Sequence, residues 1–192
     1  MVRVAIGLGS SLGCRRQWID LACRALDAHP KLHLLRKSRL WMSPPMPGGQ
    51  ARGWFLNAVA LFESRLSAPE LLERCVQLET QAGRRRAMHW GDRPLDLDLL
   101  MVEGVISKDP ELELPHPGIA HRHFVLSPLL EVWPDAVDPL TSAPWADRPL
   151  PSGPRAVPIR RLAHRWPPVT SSFHRKTQPK LRRRHDTAQD PS

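Results

Sequence analysis

From Val2 to Leu8 the chain runs in an alternating, β-rich pattern and ends at Gly7-Leu8-Gly9-Ser10-Ser11-Leu12-Gly13, a glycine-rich turn. The period then changes. Between Arg16 and His29, Trp18, Leu21, Ala22, Ala25 and Leu26 fall on one helical stripe, which Pro30 stops. Leu32 to Trp41 predicts a second strand, Ser43-Pro44-Pro45-Met46-Pro47-Gly48-Gly49 a loop, and Phe55 to Glu63 a third strand. Ser67 with Glu70 three residues on is a capping box, and Pro69 is tolerated in a first helical turn. Leu71, Leu72, Cys75, Val76 and Leu78 form the buried stripe of that helix, and Gly83 ends it. Leu95 to Val102 is a fourth strand, and Val125 to Val132 a further helix before Pro134.

The order β-α-β-β-α-β predicts an α+β fold: a ferredoxin-like antiparallel sheet with two helices packed on one face and the other face free for a ligand. Beyond about Leu140 no period is sustained. Nine prolines and scattered arginines fill 141–192, so the expected division is a domain over 1–140 and a Pro/Arg-rich, largely disordered tail over 141–192. The formal charge of +9 divides the same way: the tail holds 11 Lys and Arg against 3 acids, and the first 140 residues are nearly neutral. Basicity therefore belongs to the tail, which could contact nucleic acid or serve as a dispensable extension. Cys14, Cys23 and Cys75 are odd in number and lack CxxC spacing, which argues against disulfides and zinc and for a reducing, cytoplasmic setting. No apolar run approaches a membrane span, and the N-terminus reads as a strand rather than a signal peptide.

The chemistry concentrates in Trp90-Gly91-Asp92-Arg93-Pro94-Leu95-Asp96-Leu97-Asp98-Leu99-Leu100. Strand alternation puts Asp96 and Asp98 on one face, about 7 Å apart, and the leucines on the other. Two carboxylates so placed repel unless cations lie between them. Hard oxygen ligands select Mg²⁺, and Mg²⁺ beside Arg84, Arg85, Arg86 and Arg93 implies a polyphosphate substrate and phosphoryl-type transfer. A metal-dependent nuclease shares the acidic pair, but the neutral domain and the lack of a further clear acidic ligand weigh against it. Taken singly, the arginines also suit a solvated helix end, and Phe55 and Phe124 suit a core. Asn57 in mid-strand needs partners if buried.

Five segments in order resemble the 6-hydroxymethyl-7,8-dihydropterin pyrophosphokinase family over roughly residues 2–140. They are Gly9-Ser10-Ser11-Leu12-Gly13, Phe55-Leu56-Asn57-Ala58-Val59, the run from Glu79 to Arg86, Asp92 to Asp98, and Pro115-His116-Pro117 followed by Arg122-His123-Phe124. The resemblance implies transfer of the pyrophosphate of ATP, as co-substrate, to a pterin hydroxymethyl group, with release of AMP. It implies Asp96 and Asp98 as ligands of two Mg²⁺ ions, Arg84 and Arg93 as counter-charges to the transferring group, and Arg86 near ATP phosphate. Glu79, Trp90, His116 and Arg122 would line the nucleotide site. Phe55 and Phe124 would sandwich the pterin, with Asn57 and the chain around Ser43, Pro44 and Met46 reading its polar edge. The implied partners are these small molecules, bound by a monomer.

This copy departs from the family pattern. Asp92 stands for the usual proline, where it could pair with Arg93 or oppose ATP. Pro94 replaces a threonine and removes an N–H. Ser11 replaces an asparagine, with a looser turn as the expected effect. These changes keep a second reading open, a catalytically weak or silent pterin- or nucleotide-binding relative.

Overall fold

The computed structural model describes residues 1–84 and 91–159. Its elements are β1 (Val2–Ser10), α1 (Arg15–Asp27), β2 (Leu32–Lys37), β3 (Trp41–Ser43), β4 (Phe55–Ser64), α2 (Ala68–Gln81), β5 (Asp96–Val102), the hairpin β6 (Ser107–Asp109) and β7 (Leu112–Leu114), α3 (Gly118–His121), α4 (His123–Val132) and β8 (Val157–Pro158). The main sheet runs β5-β1-β4-β3-β8, with β2 also paired to β4, and all these pairings are antiparallel. This is the order expected of a βαββαβ sheet. Among the described residues no helix is long and apolar enough to cross a membrane.

The strand expected over 32–41 is two strands on the same edge of β4, Leu32 facing Ser64 and Trp41 facing Asn57. The ladder slips between Leu34 and Arg36, and at Ser38 a side chain takes over from the backbone. Ser38 donates its N–H to the Val59 carbonyl (2.9 Å), and its hydroxyl accepts from the Val59 N–H (3.0 Å). A serine hydroxyl can replace a ladder partner in this way.

Alternation assigns the two sheet faces. Val4, Ile6 and Leu8 of β1, Ala58, Ala60 and Phe62 of β4, and Leu97 and Leu99 of β5 join Ile19, Leu26, Leu71, Cys75 and Leu78 in one apolar layer under α1 and α2. The capping box of α2 forms as predicted, with the Ser67 N–H donating to Glu70 Oε2 at 2.7 Å. The opposite face is not wholly free, as had been expected. Ala5, Val59, Leu61, Leu100 and Met101 pack there against Leu126, Leu129 and Val132 of α4. Among the described residues, the end near Gly7, Gly9, Asp96 and Asp98 stays open.

The segment 141–159 departs from the expected disordered tail. Trp145, 3% exposed, enters the second apolar layer, and Asp138 accepts from Arg148. Val157–Pro158 pair with Trp41–Met42, the Ile159 N–H bonds the Leu40 carbonyl (2.8 Å), and the Ala156 N–H bonds His123 Nδ1 (3.3 Å). A segment without a period can still order when a few anchors dock onto a finished sheet edge. The remaining tail residues expected to be disordered, 160–192, lie outside the described residues.

Candidate functional site

The open end of the second face is a cavity whose floor is the sheet. Gly7 and Gly9 of β1 supply no side chain there. A Cβ on Gly9 would stand in ordinary contact with Asp96 Cβ (3.4 Å) and Asn57 Oδ1 (3.5 Å), filling floor that glycine leaves open between the carboxylate strand and the amide strand. Around it stand Ser43, Pro44, Met46, Phe55, Asn57, Arg93, Asp96, Asp98, Arg122 and Phe124, ten residues singled out in the sequence and brought to one cavity by β3, β4, β5 and α4. Ala51 and Val125 complete the wall and had no signal of their own. The floor did have one: Ala5, Gly7 and Gly9 alternate onto the face of Asp96 and Asp98.

One half of the cavity is neutral and aromatic. Asn57, 6% exposed, donates through Nδ2 to Ser43 Oγ (3.0 Å) and the Trp41 carbonyl (3.4 Å), which fixes its amide. The buried Ser43 is thus both lining and support. Phe55 and Phe124 contribute ring faces, and the Arg93 guanidinium lies 5.6 Å from the Phe55 centroid.

The other half is charged. Asp96 is held from both sides: Arg84 Nη1 donates to Oδ1 (2.7 Å) and Arg93 Nη2 to Oδ2 (2.6 Å). The same Arg84 nitrogen donates to Glu79 Oε1, which also accepts the Leu97 N–H (2.7 Å). Glu79 is 5% exposed and does not line the cavity; from α2 it fixes the register of β5 and aims Arg84 at Asp96. Its carboxyl is pushed upward by burial, against the Leu97 N–H and Arg84, which pull it down. Asp98 is pushed up to about 7, first by burial and then by Asp96, with Arg122 and Arg93 opposing the rise.

His116, also expected at the nucleotide site, does not line this cavity. Its Nδ1 accepts the Gly118 N–H (2.9 Å), and burial and then Arg122 hold its pKa below the usual histidine value. Arg86 and Trp90 lie outside the described residues.

The departures from the pattern have physical roles. Asp92 does not pair with Arg93. Its carboxylate accepts the Arg52 N–H (3.1 Å) and the Gly53 N–H (3.2 Å). Ser11 ties its turn to Arg93. Its hydroxyl accepts the Arg93 N–H (2.9 Å), while the Ser11 and Leu12 N–H groups donate to the Arg93 carbonyl (3.0 and 3.2 Å).

A metal must fit what is present. Among the described residues no group of three or more His, Cys, Asp or Glu side chains is arranged to hold an ion. The available set is the carboxylate pair Asp96 and Asp98. Two hard oxygen donors suit Mg²⁺, which keeps much of its shell as water and phosphate oxygen. The upward push on Asp98 is what a nearby cation would relieve.

The sequence model of the 7,8-dihydro-6-hydroxymethylpterin-pyrophosphokinase family matches residues 5–134. The 2-amino-4-hydroxy-6-hydroxymethyldihydropteridine pyrophosphokinase of Methylorubrum extorquens is 38% identical over 137 residues, covering 71% of this chain and 86% of that protein. The protein of the same name from Haemophilus influenzae is 35% identical over 139 residues, covering 72% and 86%. A folic acid synthesis protein of Schizosaccharomyces pombe is 34% identical over 139 residues, 72% of this chain but 19% of that one. Among solved structures, a triple mutant of Plasmodium falciparum HPPK-DHPS aligns with a TM-score of 0.56 at 10% identity, over 75% of this chain and 43% of that chain, which speaks to fold alone.

Proposed function

The chain belongs to the 7,8-dihydro-6-hydroxymethylpterin-pyrophosphokinase family, and from that premise we propose where each substrate sits and what each side chain does. The reaction moves pyrophosphate from ATP to 6-hydroxymethyl-7,8-dihydropterin in folate synthesis. The acceptor oxygen bonds the β-phosphorus, the bridging bond to the α-phosphate breaks, and AMP leaves as the hydroxyl loses its proton.

The observation that carries the assignment is the division of one cavity into a neutral aromatic half and a charged half on the same sheet floor. Phe55 and Phe124 would hold the flat pterin between ring faces, with Asn57, Ser43 and the backbone at Pro44 and Met46 on its polar edge. Asp96 and Asp98 would hold two Mg²⁺ ions, which when bound supply positive charge to the ATP phosphates. Arg84 and Arg93 would exchange a carboxylate partner for phosphate, both charge-assisted contacts, and so counter the charge of the transferring group. Arg122 faces the same space, and Arg86, Trp90 and His116 would act on the nucleotide side. Glu79 acts from beneath, through Arg84 and β5. No side chain is required as a nucleophile, so transfer is direct and in line.

The test is AMP release from ATP with and without 6-hydroxymethyl-7,8-dihydropterin and Mg²⁺. AMP should form only with all three present. Metal-independent turnover would remove the role of Asp96 and Asp98, and a phosphorylated enzyme trapped from labelled ATP would overturn direct transfer. The reading takes the protein as a cytoplasmic monomer acting on small molecules.

A further inference from the structure

The loop joining β3 to β4, residues 44–54, supplies Pro44, Met46 and Ala51 to the cavity wall, and its own backbone does little to hold it. A turn closes from the Gly49 N–H to the Met46 carbonyl at 3.3 Å. Its returning arm is gripped from outside instead. Asp92 accepts the Arg52 and Gly53 N–H groups at 3.1 and 3.2 Å, and Arg15 Nη1 donates to the Trp54 carbonyl at 2.6 Å. Backbone groups of three consecutive residues are thus held by side chains from two other segments. The carboxylate side is itself fixed, because Asp92 precedes Arg93, whose N–H and carbonyl are both bonded to the Ser11–Leu12 turn.

The fit is close. A Cβ on Gly53 would stand 3.1 Å from Asp92 Oδ1 and 3.1 Å from the Ser11 carbonyl oxygen, so the clasp closes at full reach only over a residue with no side chain. Burial disfavours the Asp92 carboxylate, but the Arg52 N–H, the Ser11 hydroxyl and the Gly53 N–H outweigh it and hold its pKa below the ordinary aspartate value. The grip therefore persists through neutral pH.

We propose that Asp92 is a positioning residue: by closing on the Arg52 and Gly53 amides it holds the 44–54 loop where Pro44, Met46 and Ala51 wall the pterin half of the cavity. The proposal rests on the assignment of that half to the pterin. It separates Asp92 from the reacting atoms. The carboxylate touches neither Arg93's guanidinium nor Asp96, and instead ties the segment carrying both to the loop that shapes the acceptor's side. Because the clasped amides are near solvent, water can take them over when the carboxylate is removed. The cost then falls on the placement of the loop, and the fold is spared.

The test compares Asp92→Ala, Asp92→Asn and Gly53→Ala with the full wild-type chain. Hydrogen exchange over peptides spanning 46–56 is measured in the ligand-free protein, and KM for each substrate and kcat are measured by AMP release. In Asp92→Ala, exchange at Arg52 and Gly53 should rise about tenfold, the opening of a locally held segment. KM for the pterin should rise about three- to tenfold from lost preorganisation, with kcat and the KM for ATP within about twofold. Asp92→Asn keeps one acceptor oxygen and should fall between, and Gly53→Ala should reproduce the pattern with the charge intact. Unchanged exchange overturns the clasp. Faster exchange with an unchanged pterin KM overturns the positioning role, as does an equal loss for both substrates or a fall in kcat alone. A wild-type chain that does not use the pterin would sink the site assignment, and the exchange comparison would still decide the clasp.

Discussion

Ser43 and Asn57 answer each other across the neutral half of the cavity, while Asp96 and Asp98 share the influence of Arg93 in the charged half. In the first, a hydroxyl accepts at 3.0 Å from an amide that lines the floor, and both groups are buried and partnered before any ligand arrives. In the second, Asp96 draws two guanidiniums and the half-buried Asp98 is left with its carboxyl pushed up to about 7. The neutral half is ready-made, and the charged half is held in a costly state that its ligands relieve. Removing the strained Asp98 carboxyl should therefore raise stability while it lowers activity, whereas changes in the neutral half should lower both.

Asp98→Asn gives the largest separation. If Asp98 acts as the proposed metal ligand, turnover should fall by roughly a thousandfold or more, the scale of losing several kcal/mol of transition-state charge stabilisation. The ligand-free protein should nevertheless gain stability at pH 7 and above. The sign follows from linkage: a carboxyl raised from 3.8 to about 7 in the folded state binds more protons than it does unfolded. Its unfavourable contribution thus sets in as pH rises from near 4 to near 7. Thermal unfolding across that range should show the wild type losing stability relative to Asp98→Asn. Parallel curves would mean that Asp98 is not strained in the free protein.

Arg93→Ala follows. It removes the 2.6 Å bond to Asp96 and the cation over Phe55, and kcat should fall about a hundred- to a thousandfold, the usual loss for one charge-stabilising donor. A variant with normal kcat and only a raised KM would place Arg93 in uniform binding, away from the transferring group.

These predictions rest on side chains that were legible in sequence because strand alternation is local. Leu97 and Leu99 had to face one way if Asp96 and Asp98 faced the other, and Asn57 in an apolar strand announced a buried partner without naming Ser43. What joins distant segments was not legible. Glu79 reads as a site-lining acid at the end of a helix, yet its two bonds go to Leu97 and Arg84. Asp92 and Ser11 read as departures from a pattern because their partners, Arg52, Gly53 and Arg93, lie 39 or more residues away. Composition misjudged 141–159 for the same reason. The two-residue β8 is ordered by a sheet edge built from residues about a hundred positions earlier, and Trp145 by the apolar layer around α4.

In the neutral half the effects should be smaller and confined to the pterin. Phe124→Ala opens one wall, and pterin KM should rise about tenfold, the scale of one lost aromatic stacking face, with ATP KM unchanged. Equal weakening of both substrates would mean that Phe124 supports the packing of α4 and does not contact the pterin.

Ser43→Ala is the finest probe. It deletes the shorter of the two bonds from Asn57 Nδ2 and leaves the Trp41 carbonyl at 3.4 Å as the remaining acceptor. A buried donor that keeps one weak partner costs about 1 kcal/mol, so stability and pterin affinity should both drop by that amount, about fivefold in KM. Both should drop because the same hydrogen bond stabilises the fold and fixes the amide. Here the contrast with Asp98→Asn is sharpest. One substitution removes a satisfied group and loses on both counts, and the other removes a strained group and gains stability at the expense of the reaction. If Ser43→Ala lost pterin affinity while gaining stability, the neutral half would be strained too, and the division of the cavity into a ready half and a costly half would fail.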